Sequence, residues 1–250
     1  MSSSFIPLAS TSLPDLKSST LIIPSVSIGN IPQLTIDLLI HTLDFEKIGS
    51  LSDTYLYPFA SPIDHTVDKP QTGISNAIEI YYNSKNHVTV IQQRSPIIPS
   101  FIDAYVNEII NPFITKCQFA KVFVLDSSDA GLVEEISPGT IDVYTQEDFL
   151  SKSLESLKLS KKQITSYDHS VYGRALIKAI TDDSSVAPEL NVLVTYVYEG
   201  DNFYDGEVLA NKLVKVMELK QVDKWIKPVS WLGVYGDKPL PNGMEDGLFG

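Results

Sequence analysis

The stretch Leu21-Ile22-Ile23-Pro24-Ser25-Val26-Ser27-Ile28-Gly29-Asn30 decides the fold class. Up to Ile28 it consists mostly of leucine and β-branched residues and predicts a strand, which Gly29 closes with a turn. Asn30 can then cap a helix, because the residues after it place their apolar side chains on one helical face, namely Ile31, Leu34, Leu38 and Leu39. A strand that feeds a helix through a glycine turn predicts an α/β domain.

Further β-rich runs and amphipathic segments continue this alternation along the chain. The predicted strands are Thr54–Tyr57, Ala77–Tyr82, Val88–Gln92, Lys121–Leu125 and Asn191–Tyr198, and the predicted helices are Ser100–Ile114 and Asp205–Leu219. The apolar runs Val122–Leu125 and Val192–Val194 are typical of strands buried on both faces. We therefore predict a three-layer sandwich with a central mixed sheet flanked by helices. One domain over residues 1–236 is expected to carry a flexible C-terminal tail over residues 237–250.

Three polar stretches interrupt the pattern. Pro58–Gly73 is rich in Pro, Ser and Asp and predicts a long surface loop. Asp126–Thr140 and Leu150–Asp183 mix Ser, Lys and Asp with short apolar runs and give only a weak signal for helices. Tyr55–Phe59 and Trp225–Tyr235, by contrast, carry more aromatic surface than a small domain needs to bury. We expect these two segments to be exposed and the isolated chain to self-associate without a partner.

Composition and charge disfavour several classes of function. The chain has 250 residues, 19 of them basic and 31 acidic, and its net charge of −12 repels nucleic acid and anionic membrane surfaces. No run reaches the roughly 18 apolar residues of a membrane span, and the first residues lack the basic region of a secretory signal. Cys117 is the sole cysteine and cannot form an internal disulfide, so we expect a reducing compartment, the cytoplasm and also the nucleus.

The sequence offers few groups for catalysis. The chain contains neither a serine-hydrolase elbow nor a phosphate-binding lysine loop. Metal-ligand spacing is also missing between Cys117 and the histidines, which are His41, His65, His87 and His169. We therefore predict no enzyme activity, no metal site and no cofactor.

The Gly29 and Asp126 turns keep an alternative open, which is a small-molecule-binding α/β enzyme. Amides at the Gly29 turn could hold an anion, although glycine is also needed simply to make the turn. Asp126-Ser127-Ser128-Asp129 follows a buried strand, where ligands of open α/β sheets bind, but no base is evident for its serines, and a polar loop is favoured. Glu199-Gly200-Asp201-Asn202 could ligate a cation, yet a turn with an N-cap for the next helix is favoured.

The last residues of the chain favour docking. Pro239–Gly250 is rich in Pro and Gly and cannot hold a regular element, yet it finishes on Leu248 and Phe249 beside the carboxylate of Gly250. An apolar slot with a cation at its end would accept these three residues, which form the predicted partner-binding site. A frayed end packed on the chain's own surface is the alternative.

Separate segments along nearly the whole chain carry a resemblance to a known family. These segments are Val26–Leu34 with Asp37-Leu38-Leu39, Ile91–Pro96, Glu199–Asn202 and the tryptophan-containing stretch Pro228–Gly236. None of them is a general-purpose motif, and in their order and spacing they resemble the proteasome assembly chaperone 2 family in its fungal form.

The resemblance implies a protein with no reaction and no cofactor. It implies a heterodimer with proteasome assembly chaperone 1 on the outer face of the proteasome α-ring, with C-terminal tails inserted between α subunits to guide core-particle assembly. The family's tail motif is a hydrophobic residue, then tyrosine, then any residue, and Leu248, Phe249 and Gly250 match those positions. Because Phe249 replaces the tyrosine, a hydroxyl hydrogen bond of about 1 kcal/mol is missing.

Overall fold

The computed structural model describes residues 4–8, 13–132, 136–145, 148, 171–182 and 188–232. Within these ranges the strands are β1 (Phe5–Pro7), β2 (Thr20–Pro24), β3 (Glu46–Leu51), β4 (Ala60–Pro62), β5 (Ile74–Asn76), β6 (Ile78–Asn83), β7 (Val88–Gln93), β8 (Lys121–Asp129), β9 (Ile141–Thr145) and β10 (Glu189–Val197). The helices are α1 (Ile31–Thr42), α2 (Ile102–Tyr105), α3 (Asn111–Cys117), α4 (Val171–Asp182) and α5 (Phe203–Val216), and a π-helical turn, Val106–Ile110, joins α2 to α3. No helix in the described part of the chain is long and apolar enough to cross a membrane.

Eight of the strands form one mixed sheet in the order β1-β3-β6-β7-β2-β8-β10-β9. Parallel pairing joins β7, β2, β8 and β10 at its centre, whereas β1, β3, β6 and β9 are attached by antiparallel pairing. Parallel strands need crossover connections, and the helical segment from α2 to α3 supplies the one between β7 and β8. The short strands β4 and β5 form a separate antiparallel pair.

Helices cover both faces of the sheet, each over its own apolar core. On one face α1 and α5 pack over Phe123 and Leu193, and on the other face the α2–α3 segment and α4 pack over Val124 and Val192. Neighbouring residues of β8 and of β10 therefore enter opposite cores, as the two-residue period of a strand requires. The predicted three-layer sandwich with a central mixed sheet is confirmed, and so are the strands buried on both faces.

The stretch that decides the fold class forms a strand, a turn and a helix, with different bounds from those predicted. β2 already ends at Pro24, and Ile28–Asn30 forms a 3₁₀ turn. Gly29 has a φ of 66°, and a Cβ there would lie 2.5 Å from Oδ1 of Asn202, so only glycine fits. Asn30 does precede α1, but its backbone is left-handed and its side chain makes no capping hydrogen bond.

Several predicted elements differ from the structure. Thr54–Tyr57 is not a strand, because Leu56 makes only an isolated bridge with Ile97. Pro58–Gly73 is not a loop throughout, because it contains β4. Asp126–Asp129 is not a polar loop either, because these residues continue β8 and pair with β10. β1, β3, β5 and β9 are also missing from the predicted strands, whereas the other predicted strands and helices are confirmed with shifts of a few residues at their ends.

A buried ion pair joins α1 to the end of β7. Arg94 donates two hydrogen bonds to the carboxylate of Asp37, from Nη1 to Oδ2 at 2.8 Å and from Nη2 to Oδ1 at 2.6 Å. The Asp37 side chain is 3% exposed and the Arg94 side chain 22%. Burial disfavours the charge on Arg94, but the charge and hydrogen bonds of Asp37 outweigh it and raise the pKa of the guanidinium. The pair therefore fixes how α1 lies on the sheet.

We predict that Asp37→Asn lowers the free energy of unfolding by about 3 kcal/mol, because it leaves the buried guanidinium without its carboxylate. Asp44→Asn is the matched control, since Asp44 pairs with Lys69 in a bridge whose side chains are 75% and 70% exposed. The control should change the free energy of unfolding by less than about 1 kcal/mol. Urea denaturation measures both, and equal losses would contradict the role assigned to the buried pair.

Candidate functional site

The predicted partner-binding residues Leu248, Phe249 and Gly250 lie outside the described residues, as does the whole of 237–250. The segment that leads toward them, from Trp225 to Leu232, is described, and we refer to it as the C-terminal strap. Its position sets the point from which the chain continues beyond Leu232.

The strap begins where α1 and α5 end. Nε1 of Trp225 donates a hydrogen bond to Oδ1 of Asn211 in α5 at 3.0 Å. The next backbone amide, that of Ile226, donates to Oγ1 of Thr42 at the end of α1, also at 3.0 Å. These two bonds attach the start of the strap to both helices of this face.

The middle of the strap is attached to the segment before β5. The amide of Val229 donates to the carbonyl oxygen of His65 at 2.8 Å. The amide of Ser230 donates to Oδ1 of Asp64 at 3.2 Å, and its hydroxyl donates to Oδ2 of the same carboxylate. The Asp64 side chain thus holds Ser230 through both a backbone and a side-chain group.

The end of the strap packs on the first turn of α5. The ring of Trp231 stacks on that of Phe203, with centroids 4.4 Å apart and planes 24° from parallel. Nζ of Lys227 lies 5.9 Å from the centroid of Trp231 and forms a salt bridge with Glu207 at 2.7 Å. Because α5 follows β10, this first turn lies at the carboxyl ends of the parallel strands, and the strap ends at that edge of the sheet.

The prediction that Trp225–Tyr235 is exposed is wrong for its two tryptophans. Trp225 and Trp231 are buried in the core beneath α1 and α5, while Tyr235 lies outside the described residues. Tyr55–Phe59 is mixed, because Leu56 is buried whereas Tyr57 is 48% exposed. The aromatic content of the strap therefore attaches it to the domain.

Ser127 belongs to the Asp126–Asp129 segment, which is the alternative candidate for an active site, and it forms hydrogen bonds within the fold. Its hydroxyl donates to the carbonyl oxygen of Ile28 at 2.6 Å and lies 2.7 Å from the hydroxyl of Ser27. Its amide also lies within hydrogen-bond distance of Oγ of Ser27, at 3.0 Å. These bonds join the end of β8 to the Gly29 turn, and they place no histidine base on the serine.

The Glu199–Asn202 turn is confirmed, but the predicted side-chain cap is wrong, because Asn202 makes no capping hydrogen bond to the first amides of α5. Oδ1 of Asn202 accepts from the amide of Gly200 at 3.1 Å, and Nδ2 donates to the carbonyl oxygen of Tyr198 and to Oδ2 of Asp205, both at 3.0 Å. The first amide of α5 is met instead by Oδ1 of Asp201 at 3.3 Å. All of these oxygens already hold hydrogen bonds within the turn, as expected for a structural turn.

Large apolar side chains remain exposed at the same edge of the sheet. Leu132 follows β8, Tyr198 follows β10, and Tyr204 lies in the first turn of α5, and all three are well exposed. A Cβ at Gly131 would lie 3.4 Å from Cε1 of Tyr198, so the ends of β8 and β10 are neighbours here. These residues were not singled out from the sequence, although the spacing of apolar residues such as Leu209 and Leu213 indicates the buried side of α5 and thereby its exposed side.

A polar cavity of about 390 Å³ lies beside α1, between β3 and the segment before β5. The lysines and the arginine in its wall are engaged with carboxylates, in the pairs Arg94 with Asp37, Lys47 with Glu79 and Lys69 with Asp44. Burial lowers the pKa of His41 in the same wall and favours its neutral form. The basic side chains described in this wall therefore form ion pairs within the domain.

The described ranges contain no group of three or more His, Cys, Asp or Glu side chains placed to hold a metal ion. Nδ1 of His65 lies 3.0 Å from the carbonyl oxygen of Thr66, and His169 lies outside these ranges. Cys117 is half-buried, and burial raises the pKa of its thiol to about 11, so it is protonated at neutral pH.

Known proteins match this chain in sequence and in fold. Proteasome assembly chaperone 2 of Saccharomyces cerevisiae is 27% identical over 258 residues, covering 87% of this chain and 95% of that protein. Proteasome assembly chaperone 2 of Xenopus laevis is 28% identical over 267 residues, covering 98% of this chain and 100% of that protein. The crystal structure of Pyrococcus furiosus PbaA, described as an archaeal homolog of proteasome-assembly chaperone, shares the fold with a TM-score of 0.60 at 17% identity, covering 84% of this chain and 86% of that one.

The family model described as PAC2 family matches residues 21–190, which is more than half of the 250 residues. The match begins in β2, at the centre of the sheet, and ends in β10. The chain therefore belongs to the PAC2 family.

Proposed function

We propose that this chain is a proteasome assembly chaperone subunit that pairs with assembly chaperone 1 and docks on the outer face of the proteasome α-ring. The observation that carries the proposal is the end-to-end match with Proteasome assembly chaperone 2 of Xenopus laevis, which aligns nearly all of both chains. The fold shared with PbaA, a homolog of proteasome-assembly chaperone, is consistent with it. Such a function requires binding surfaces and no reacting groups.

In this proposal Leu248, Phe249 and Gly250 enter a pocket between two α subunits. Leucine and phenylalanine would bury apolar surface there, and the carboxylate of Gly250 would pair with a cation. Leu232 and Leu248 are sixteen residue steps apart (248 − 232), or about 55 Å at full extension. The last residues can therefore reach a pocket away from the domain, while the strap keeps their starting point fixed.

Three docked residues would bind weakly by themselves, because ordering the segment that carries them offsets much of the gain from burying two side chains. Further affinity must come from the folded domain and from the partner chaperone. The expected pairing with assembly chaperone 1 would add both surface and a second tail, which raises the overall affinity through effective concentration.

The alternative, a small-molecule-binding α/β enzyme, gains no support from the turns on which it rested. Gly29 is packed against Asn202, and Ser127 is hydrogen-bonded to the backbone of Ile28. The class of function is tested by purifying the tagged chain after co-expression with assembly chaperone 1 and α subunits. Recovery of both partners supports the proposal, and recovery of the chain without either would overturn it.

We predict that deletion of Leu248-Phe249-Gly250 weakens α-ring binding at least tenfold and leaves the melting temperature nearly unchanged. The stability of the domain rests on its cores and on the strap, which ends at Leu232. Ring affinity and thermal denaturation are measured side by side, with the tail of the partner chaperone also removed so that it cannot compensate. Wild-type affinity after the deletion would refute the docking tail.

We predict opposite effects for two further changes of the last residues. One residue added after Gly250 displaces the carboxylate and should weaken ring binding about as much as the deletion does. Phe249→Tyr restores a hydroxyl that can donate a hydrogen bond of about 1 kcal/mol, so binding should be retained or become about fivefold tighter. The same titration with α-rings measures both variants. Unchanged binding by the extended chain would show that the carboxylate has no partner.

A further inference from the structure

The strap brings Leu232, the point from which the C-terminal segment continues and which we call the tail root, to one particular face of the domain. The stack of Trp231 on Phe203 places Leu232, the last described residue, beside the first turn of α5. Leu232 is 42% exposed there, although its neighbour Trp231 is buried. A body that captures the last residues is therefore tethered to this turn, within the roughly 55 Å that the chain from Leu232 to Leu248 spans at full extension.

An exposed aromatic side chain stands next to that root. Tyr204 is 73% exposed, and it follows Phe203 directly. At about 3.6 residues per turn it lies on the side of α5 opposite to the buried residues Gly206, Leu209 and Leu213. Its ring therefore points away from the sheet, and the described residues form no core around it.

The same face is acidic. Residues 197–207 contain Glu199, Asp201, Asp205 and Glu207 but no lysine or arginine. Glu207 is paired with Lys227 and Asp205 accepts a hydrogen bond from Asn202, whereas Glu199 and Asp201 are exposed at the turn. A second copy of this chain would meet like charge here, so the face fits a partner with basic side chains beside an apolar recess.

We propose that the domain carries a second docking surface for the same α-ring that binds the C-terminal residues. This surface, called the tail-root face, consists of Tyr204, Leu232, Glu199 and Asp201. The inference rests on the proposed function, because it takes its partner from it. A contact beside the tail root and a contact at the tail tip reinforce each other, since either one raises the local concentration of the other. This surface supplies affinity that three docked residues lack.

The apolar part of the face is tested with Tyr204→Ala and Leu232→Ala, each co-expressed with a partner chaperone that lacks its own tail. Each variant should weaken α-ring binding about tenfold, and each should weaken it further in a chain that also lacks residues 248–250. Tyr57→Ala is the matched control, because Tyr57 is an exposed tyrosine in a segment that packs with the α2–α3 side of the sheet. The control should bind within about twofold of wild type, and melting temperatures check that all three variants are folded.

The acidic part is tested with the double variant Glu199→Gln and Asp201→Asn. Asparagine at position 201 keeps an oxygen that can accept from the amide of Phe203, so the start of α5 is retained. The double variant should bind the ring more weakly at low salt and show a shallower dependence on salt concentration. Asp103→Asn, an exposed acidic residue on α2, is the charge control and should leave both quantities unchanged.

The outcomes separate this inference from the function on which it rests. If the wild-type chain with its partner does not bind α-rings, both are overturned. If wild type binds and the tail deletion weakens it, while Tyr204→Ala, Leu232→Ala and the double variant all bind like wild type, the tail-root face is overturned and the proposed function stands. Weakening by the tail-root variants and not by Tyr57→Ala or Asp103→Asn supports the surface.

Discussion

The close packing of α1 against α5 is the contact on which the rest of this face depends. A Cβ at Gly206 would lie 2.9 Å from Cβ of Leu34, so glycine is what lets the two helices approach. Oγ1 of Thr35 donates to the carbonyl oxygen of Gly206 at 3.1 Å across the same crossing. With the helices in this position, the turn before α5 contacts the turn before α1. The strap contacts Thr42 at one end of the helix pair and Phe203 at the other end.

The centre of the sheet could be predicted from the sequence because burial on both faces leaves unbroken apolar runs, as in β8 and β10. The strands at the margins of the sheet could not be predicted, because they are short or partly exposed and leave no unbroken apolar run. β1 pairs through only three residues, and β3 combines Glu46, Lys47 and Gly49 with a partly exposed face. β9 alternates apolar and polar residues only from Ile141 to Val143, because Tyr144 packs against the opposite core, and five positions give a weak signal. Thr54–Tyr57 has the residues of a strand, yet Tyr55 stacks on Phe101 in a loop, which satisfies the same preference for packing.

At the candidate site, local chemistry was predictable and long-range contact was not. The residues Glu199–Asn202 suffice to predict a turn, but the contact of Asn202 with Gly29 depends on how two distant helices pack. The tryptophans of the strap have no periodic spacing, so their burial follows only from Phe203 and Asn211, which the fold brings to them. Tyr204 is different, because the apolar stripe that identifies the buried side of α5 also identifies its exposed side.

In the proposed docking through the last residues, the fixed position of Leu232 matters as much as those residues themselves. If Trp231 were not packed on the domain, the chain after it would have no fixed starting point. A partner that bound the last residues would then meet no particular surface of the domain. The stack on Phe203 and the bonds to Asp64 remove that freedom before binding, so the residues from Trp225 to Leu232 add no ordering cost when a partner binds. The acidic turn beside the root then orients the domain, because Glu199 and Asp201 favour only those approaches that present basic side chains to them.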